Sequence, residues 1–308
     1  MMGQKNKLNE NTEIRELFNM DGSRIRVLEF PALKDCGGLR AGSSVGSGFG
    51  TEHNSGNGIV HLFSTREGGV SNGIFRSMNL GFDVGDEWEN VEENFRRLAA
   101  AAGITPDRIA ATDQTHTTNI RVVTAEDAGK GVTHDRDYTD IDGLVTNVPG
   151  IALAVFGSDC VPLFFVDPVN KAIGASHSGW RGTVARMGSV TVEKMQTVYG
   201  TDPADLICVI GPSICRDCYE VSEDVADEFK REFCGHEEEI MSEKGGGKYL
   251  LDLWESNRIV LEEAGVLPKN ITISGVCTSC CRELLFSHRA TKGKRGNNCG
   301  LIMLRERD

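Results

Sequence analysis

Four apolar runs follow one another between residues 143 and 176 with no helical stretch between them: Gly143–Thr146, Ile151–Phe156, Val161–Val166 and Lys171–Ser176. Short apolar runs bounded by turn residues read as strands. Strands in direct succession favour a mixed sheet over a strict strand–helix–strand winding. Further strands are expected at Ile25–Phe30, Ile59–Phe63, Ile120–Val123, Leu206–Ile210, Ile271–Val276 and Leu301–Leu304. Helical periodicity predicts Trp88–Ala102, capped by Asp86 and ended by Gly103, and Gly182–Tyr199, closed by Gly200. Two more helices are expected at Glu223–Phe233 and Leu253–Ala264. The expected fold is α+β, a layered α/β sandwich with mixed β-sheets in a single domain. Residues 1–58 supply a strand and a Gly/Ser-rich loop, with eight glycines from Cys36 to Gly58, and residues 59–308 form one continuous body.

The net charge of −12 argues against a nucleic-acid partner, because an acidic surface repels phosphate backbones. No apolar run reaches the roughly 18 residues of a membrane helix, and the first twenty residues hold no apolar signal core, so the expected location is the cytoplasm. In that reducing compartment the ten cysteines are expected as buried apolar residues, metal ligands or reactive thiols rather than disulfides. Oligomeric state is left open.

Three polar segments each follow an apolar run: Gln114-Thr115-His116, Ser158-Asp159-Cys160 and Ser176-His177-Ser178. Strand ends converge at sheet edges, where sites form. Two imidazoles and a thiolate suit zinc, and three protein ligands leave the fourth position that catalytic zinc sites keep open. The spacings of 44 and 17 residues match no general pattern. Taken alone they favour a plainer reading, a buried free cysteine and two hydrogen-bonded histidines in loops.

The order of short motifs goes further. Phe63-Ser64-Thr65-Arg66-Glu67-Gly68-Gly69-Val70-Ser71, Met78-Asn79-Leu80-Gly81, Gln114-Thr115-His116, Asp142-Gly143-Leu144-Val145-Thr146, Ser158-Asp159-Cys160, His177-Ser178-Gly179-Trp180-Arg181-Gly182, Gly211-Pro212-Ser213-Ile214, Cys218-Tyr219-Glu220-Val221, Cys277-Thr278 and Phe286-Ser287-His288-Arg289 occur in this order. The chain from about Ile59 onward thereby resembles the multicopper polyphenol oxidase (laccase) family, also called the purine nucleoside phosphorylase or peptidoglycan-editing-factor family. The resemblance implies zinc ligands at His116, Cys160 and His177, which are also the implied catalytic residues. It departs at Thr117 and Ser178, where the family usually has glycine and alanine, and at Ser158, where it usually has alanine. These changes keep the ligands and alter pocket polarity.

Other residues carry paired readings. Arg66 offers a bidentate fork to phosphate or ribose, or pairs with a structural carboxylate. Asn79 bonds a base or sugar, or shapes the turn before Gly81. Arg289 is taken as a pocket residue on the resemblance. Asp159 is expected to orient a ligand rather than face the metal. Arg181 and His288 are better read as surface residues than as a phosphate anchor and a proton shuttle. Lys292–Gly296 reads as a solvated loop, with an anion-binding flap as the second reading. Cys215-x2-Cys218 and Cys277-x2-Cys280 have the form of a four-cysteine zinc site, but 58 residues separate the pairs. A second metal, a redox disulfide and unrelated thiols stay open.

Seven histidines in all, two of them committed to the zinc site, count against copper oxidase chemistry. The resemblance implies zinc-dependent phosphorolysis of purine nucleosides (adenosine, inosine, 5′-methylthioadenosine), with phosphate as co-substrate, and deamination of adenosine. A Cys160–His177 hydrolase of a nucleotide-linked peptidoglycan precursor is the alternative, and a copper-dependent polyphenol oxidase the weaker one.

Overall fold

Every residue of three strands, Val161–Asp167, Ala172–Ser178 and Asn298–Leu304, is buried. A strand buried along its whole length needs cover on both faces. The computed structural model, which describes residues 5–18, 22, 24–34, 36 and 58–306, supplies that cover with four layers, helix, sheet, sheet and helix.

The first sheet has the order β1 (Lys5–Asn9), β2 (Thr12–Phe18), β3 (Arg24–Glu29), β4 (Ile59–Ser64), β16 (Asn298–Leu304), β8 (Ala152–Gly157), β5 (Ile109–Ala111). Only the β5–β8 pair is parallel. The second has the order β15 (Ile271–Ile273), β11 (Ile207–Ile210), β9 (Val161–Asp167), β10 (Ala172–Ser178), β7 (Gly143–Thr146), β6 (Ile120–Val122). Its two outer pairs are parallel and its inner pairs antiparallel. A small third sheet orders β12 (Glu220–Ser222), β14 (Lys248–Leu251), β13 (Met241–Gly245).

The period of two along a strand sorts side chains between layers. In β9, Phe164 and Val166 enter the core between the sheets, while Leu163 and Phe165 face the helices. In β16, Ile302 and Leu304 enter the same inner core, while Leu301 and Met303 face the helix Trp88–Ala102. The sheets approach closely at Gly300, where a Cβ would stand 2.5 Å from the Phe164 ring. Val91, Phe95, Leu98 and Ala102 give that helix one apolar stripe, and Gly103 ends it in the left-handed region. The helices Met187–Tyr199 and Leu253–Glu263 cover the second sheet.

Two expectations shift. Asp86 does not cap Trp88–Ala102; the cap position is Glu87, and the Asp86 carboxylate accepts the amide of Asn79. The helix expected over Gly182–Tyr199 is two, Trp180–Val184 and Met187–Tyr199. Arg186 lies between them at φ 61, and its guanidinium bonds Glu232 and Glu263, holding the break. The Gly/Ser-rich loop lies outside the described residues except at its ends. No described helix is long and apolar enough to cross a membrane.

Candidate metal centre

β5, β8 and β10 all end at one edge of the sandwich. After β5 the chain runs through Thr112–Thr117, a three-residue turn joins β8 to β9, and β10 closes with His177 and Ser178. One donor atom each from His116, Cys160 and His177 meets there, all within 4.8 Å of one another. The two imidazole rings stand edge to face with centroids 4.9 Å apart.

Asp142, fully buried at the start of β7, organises the group. Its carboxylate accepts the backbone N–H groups of Thr115, His116 and Thr117 at 3.0, 3.1 and 2.9 Å, and the Thr117 hydroxyl at 3.0 Å. This nest holds His116 at φ 68, a left-handed conformation that few non-glycine residues adopt. The same carboxylate lies 2.8 Å from His177 Nδ1. Burial opposes ionisation of Asp142, but the bonds from His177, Thr117 and Thr115 hold its pKa below the usual carboxylate value. An ionised Asp142 holds a proton on His177 Nδ1, so Nε2 is the ring nitrogen that would ligate a metal in the neutral imidazole.

Burial also opposes a thiolate at Cys160, yet His177 and His116 beside it bring the pKa down to about 6. Burial opposes protonation of His177, yet Cys160 and Asp142 bring it up to about 9. The backbone must pass close beneath this group at Gly179, where a Cβ would sit 3.0 Å from Cys160 Sγ and 3.1 Å from His116 Cδ2. Two imidazole donors, one thiolate and a buried carboxylate behind one imidazole make a donor set that suits zinc.

The group opens into a cavity of about 960 Å³. Phe82, Trp88, Trp180 and Tyr219 give it aromatic walls, and Arg136, Arg289 and Arg295 bring cations to it. Of the residues expected to bind substrate, Arg289 lines the cavity; its guanidinium packs on Tyr219 and donates to the Cys218 carbonyl. Arg66 and Asn79 are not among the lining residues. Arg66 donates to the carbonyls of Arg76 and Arg282 and lies over Phe286. Asn79 is fully buried, and its amide serves Gly81, Asp86 and Asn297. Both side chains are committed to loop structure.

Asp159 accepts the Thr278 hydroxyl and the Arg289 amide, each at 2.6 Å, so it anchors the wall. Arg181 is exposed and stacks on Trp180, whereas His288 lines the cavity. Arg295, expected in a solvated loop, also lines it, with a buried Nε that has no hydrogen-bond partner. The three departures from the family pattern are all bonded: Thr117 to Asp142, Ser158 to the Gly296 carbonyl, and Ser178 to Asn257. Sequence reasoning missed Asp142 as the organiser; its signals were its place at the head of the Gly143–Thr146 run and its inclusion in one of the ordered motifs.

The sequence pattern described as multi-copper polyphenol oxidoreductase laccase matches residues 60–305. The purine nucleoside phosphorylase YlmD of Bacillus subtilis (strain 168) is 36% identical over 252 residues, covering 80% of this chain and 89% of that protein. The adenosine deaminase RL5, from an unknown prokaryotic organism, is 33% identical over 232 residues, covering 75% and 88%. The crystal structure of YlmD from Geobacillus stearothermophilus superposes with a TM-score of 0.76 at 38% identity, covering 81% of this chain and 93% of that one.

Proposed function

The chain belongs to the multi-copper polyphenol oxidoreductase laccase family, and we propose that it is a zinc-dependent purine nucleoside phosphorylase that also deaminates adenosine. The observation that carries this reading is the meeting of His116, Cys160 and His177 at the cavity. The names of the relatives supply the substrate class, purine nucleosides and phosphate.

His116, Cys160 and His177 would hold the ion. Zinc, when bound, supplies Lewis acidity and an activated water at neutral pH. The rest is the work of the chain itself. Asp142 keeps the proton on His177 Nδ1 and fixes the ring. The aromatic walls offer faces for a purine to stack on. Arg289 and Arg295 are the cations nearest in role to a phosphate clamp, in place of Arg66. In phosphorolysis a phosphate oxygen bonds to C1′ while the bond from C1′ to the purine nitrogen breaks, and the base leaves with the electron pair. In deamination, water replaces the C6 amine of adenosine, which leaves as ammonia.

A second reading rests on one observation. A thiol held down to about 6 beside an imidazole held up to about 9, with Asp142 behind it, is the electrostatic pattern of a cysteine nucleophile. It supports a Cys160–His177 hydrolase, for which a nucleotide-linked peptidoglycan precursor is the substrate we infer. A copper-dependent oxidase is the weaker reading. Among the described residues, His116 and His177 are the only histidines sharing a donor group, too few for a type-1 and a trinuclear copper site.

The test incubates wild-type protein and Cys160→Ala with adenosine, with and without phosphate, and identifies products. Adenine formed only with phosphate, and inosine formed without it, both absent from the variant, are expected. Activity that survives chelation but is lost on thiol alkylation would shift the assignment to the cysteine nucleophile.

A further inference from the structure

A second set of sulfurs meets away from His116, Cys160 and His177. The Sγ atoms of Cys215, Cys218, Cys277 and Cys280 all lie within 4.8 Å of one another, although 58 residues separate Cys218 from Cys277. The fold closes that gap. Ser213 and Cys277 form an isolated parallel bridge, and the Thr278 amide donates to the Ser213 carbonyl. The two Cys-x2-Cys turns are thereby set face to face.

None of the four is in a disulfide, and Cys218 and Cys280 are 3.5 Å apart, well beyond an S–S bond of about 2.05 Å. Cys277 Sγ accepts the backbone N–H of Cys215 at 3.3 Å and of Cys280 at 3.4 Å. Four sulfurs gathered this closely, with no disulfide among them, form a ready-made set of ligands for one soft cation. Sulfurs at about 2.3 Å around one tetrahedral ion stand about 3.8 Å apart, the spacing the four residues already approach. A multi-iron cluster would spread its sulfurs more widely.

We propose that Cys215, Cys218, Cys277 and Cys280 bind a structural Zn²⁺ ion, distinct from any at His116, Cys160 and His177. With four protein ligands the site is closed and has no position for substrate. Its effect falls on the cavity wall. The Ile214 amide donates to the Asp159 carbonyl, Tyr219 follows Cys218, and Arg289 donates to the Cys218 carbonyl. The ion fastens the loop that carries Ile214 and Tyr219 to the turn that carries Thr278, whose hydroxyl holds Asp159. Cys280 is exposed, so an ion has a route in.

The proposal stands on its own geometry, and its test separates the two sites. Metal content is measured for the wild type, for His116→Ala/Cys160→Ala/His177→Ala, and for that variant with Cys215→Ser and Cys277→Ser added. Zinc X-ray absorption is recorded on the first variant, where all four cysteines remain. One zinc per chain with four sulfur neighbours at about 2.3 Å is expected there, falling below about a tenth of an equivalent in the second variant. Absence of metal from the first variant, iron in place of zinc, nitrogen or oxygen neighbours, or zinc retained in the second variant would overturn it. Should the second variant fail to fold, the absorption spectrum of the first decides alone.

Discussion

Asp142 Oδ1 lies 2.8 Å from His177 Nδ1, and the same carboxylate gathers the backbone of Thr115, His116 and Thr117. One buried side chain thus sets the orientation of one donor and the backbone of another. Carboxylates behind a metal-binding histidine are worth 10–100-fold in metal affinity. Asp142→Asn is expected to weaken zinc binding by about that factor, measured by competition with a chromogenic chelator. Unchanged affinity would remove Asp142 from its organising role.

Gly179 is placed where any side chain meets Cys160 Sγ and His116 together. Its backbone lies at φ −67, which alanine adopts freely, so any effect of Gly179→Ala comes from space rather than strain. The variant is expected to fold with a melting temperature within a few degrees of wild type and to lose most of its bound metal. Full metal content at the His116, Cys160 and His177 group would show that the added methyl is accommodated.

Arg289 and Arg295 are expected to read phosphate, and Arg66 is not. A charge-assisted hydrogen bond contributes about 1.5–3 kcal/mol, so Arg289→Met or Arg295→Met should raise KM for phosphate roughly 10–100-fold. Adenosine deamination, which consumes no phosphate, should change far less. Arg66→Met should leave KM for phosphate alone and lower stability by about 1–2 kcal/mol, through its lost bonds to the carbonyls of Arg76 and Arg282. Steady-state kinetics with phosphate varied, beside urea unfolding, separates these outcomes.

His61 sets an acid limit on stability. Burial holds its pKa down to about 4, although Glu29 pulls the other way, while an unfolded histidine titrates near 6.5. Between those values the unfolded chain binds more protons than the folded one. Stability therefore rises with pH through this window and is lost as pH falls through it, by on the order of 3 kcal/mol in total. Urea unfolding at pH 7 and pH 4.5 should show a smaller loss for His61→Gln than for the wild type. Equal losses would place the acid sensitivity elsewhere.

Most of the strands legible in the sequence are buried along their length, because continuous apolar runs leave a direct signal, although β6 and β15 were found while only half-buried. The short buried strand β5, the hairpin β1–β2 and the sheet of β12, β13 and β14 escaped it. β2 is half-buried along most of its length and β13 is exposed after Met241, so polar residues hide the pattern. Each of the three donors stands just past an apolar run, but that placement alone favours the plainer reading, and it is the family resemblance carried by the ordered motifs that singles them out. Arg66 and Asn79 carried paired readings in the sequence, and the folded loops, where Arg76, Arg282, Gly81, Asp86 and Asn297 bond their side chains, favour a loop-building role for each. Arg295 was obscured by its glycine-containing, basic neighbours. The four cysteines met across a gap that spacing rules discourage, because a bridge at Ser213 and Cys277 does the work of a short loop.

β16, Asn298–Leu304, is one of the last elements in the chain, yet it lies between β4 and β8 near the middle of the first sheet. During synthesis, His116, Cys160 and His177 have all left the ribosome well before this strand exists. Until it arrives, β8 lacks its antiparallel neighbour and the inner core lacks Ile302 and Leu304. A growing chain carries the three donors without the frame that gathers them, so an ion bound at that edge would wait on β16.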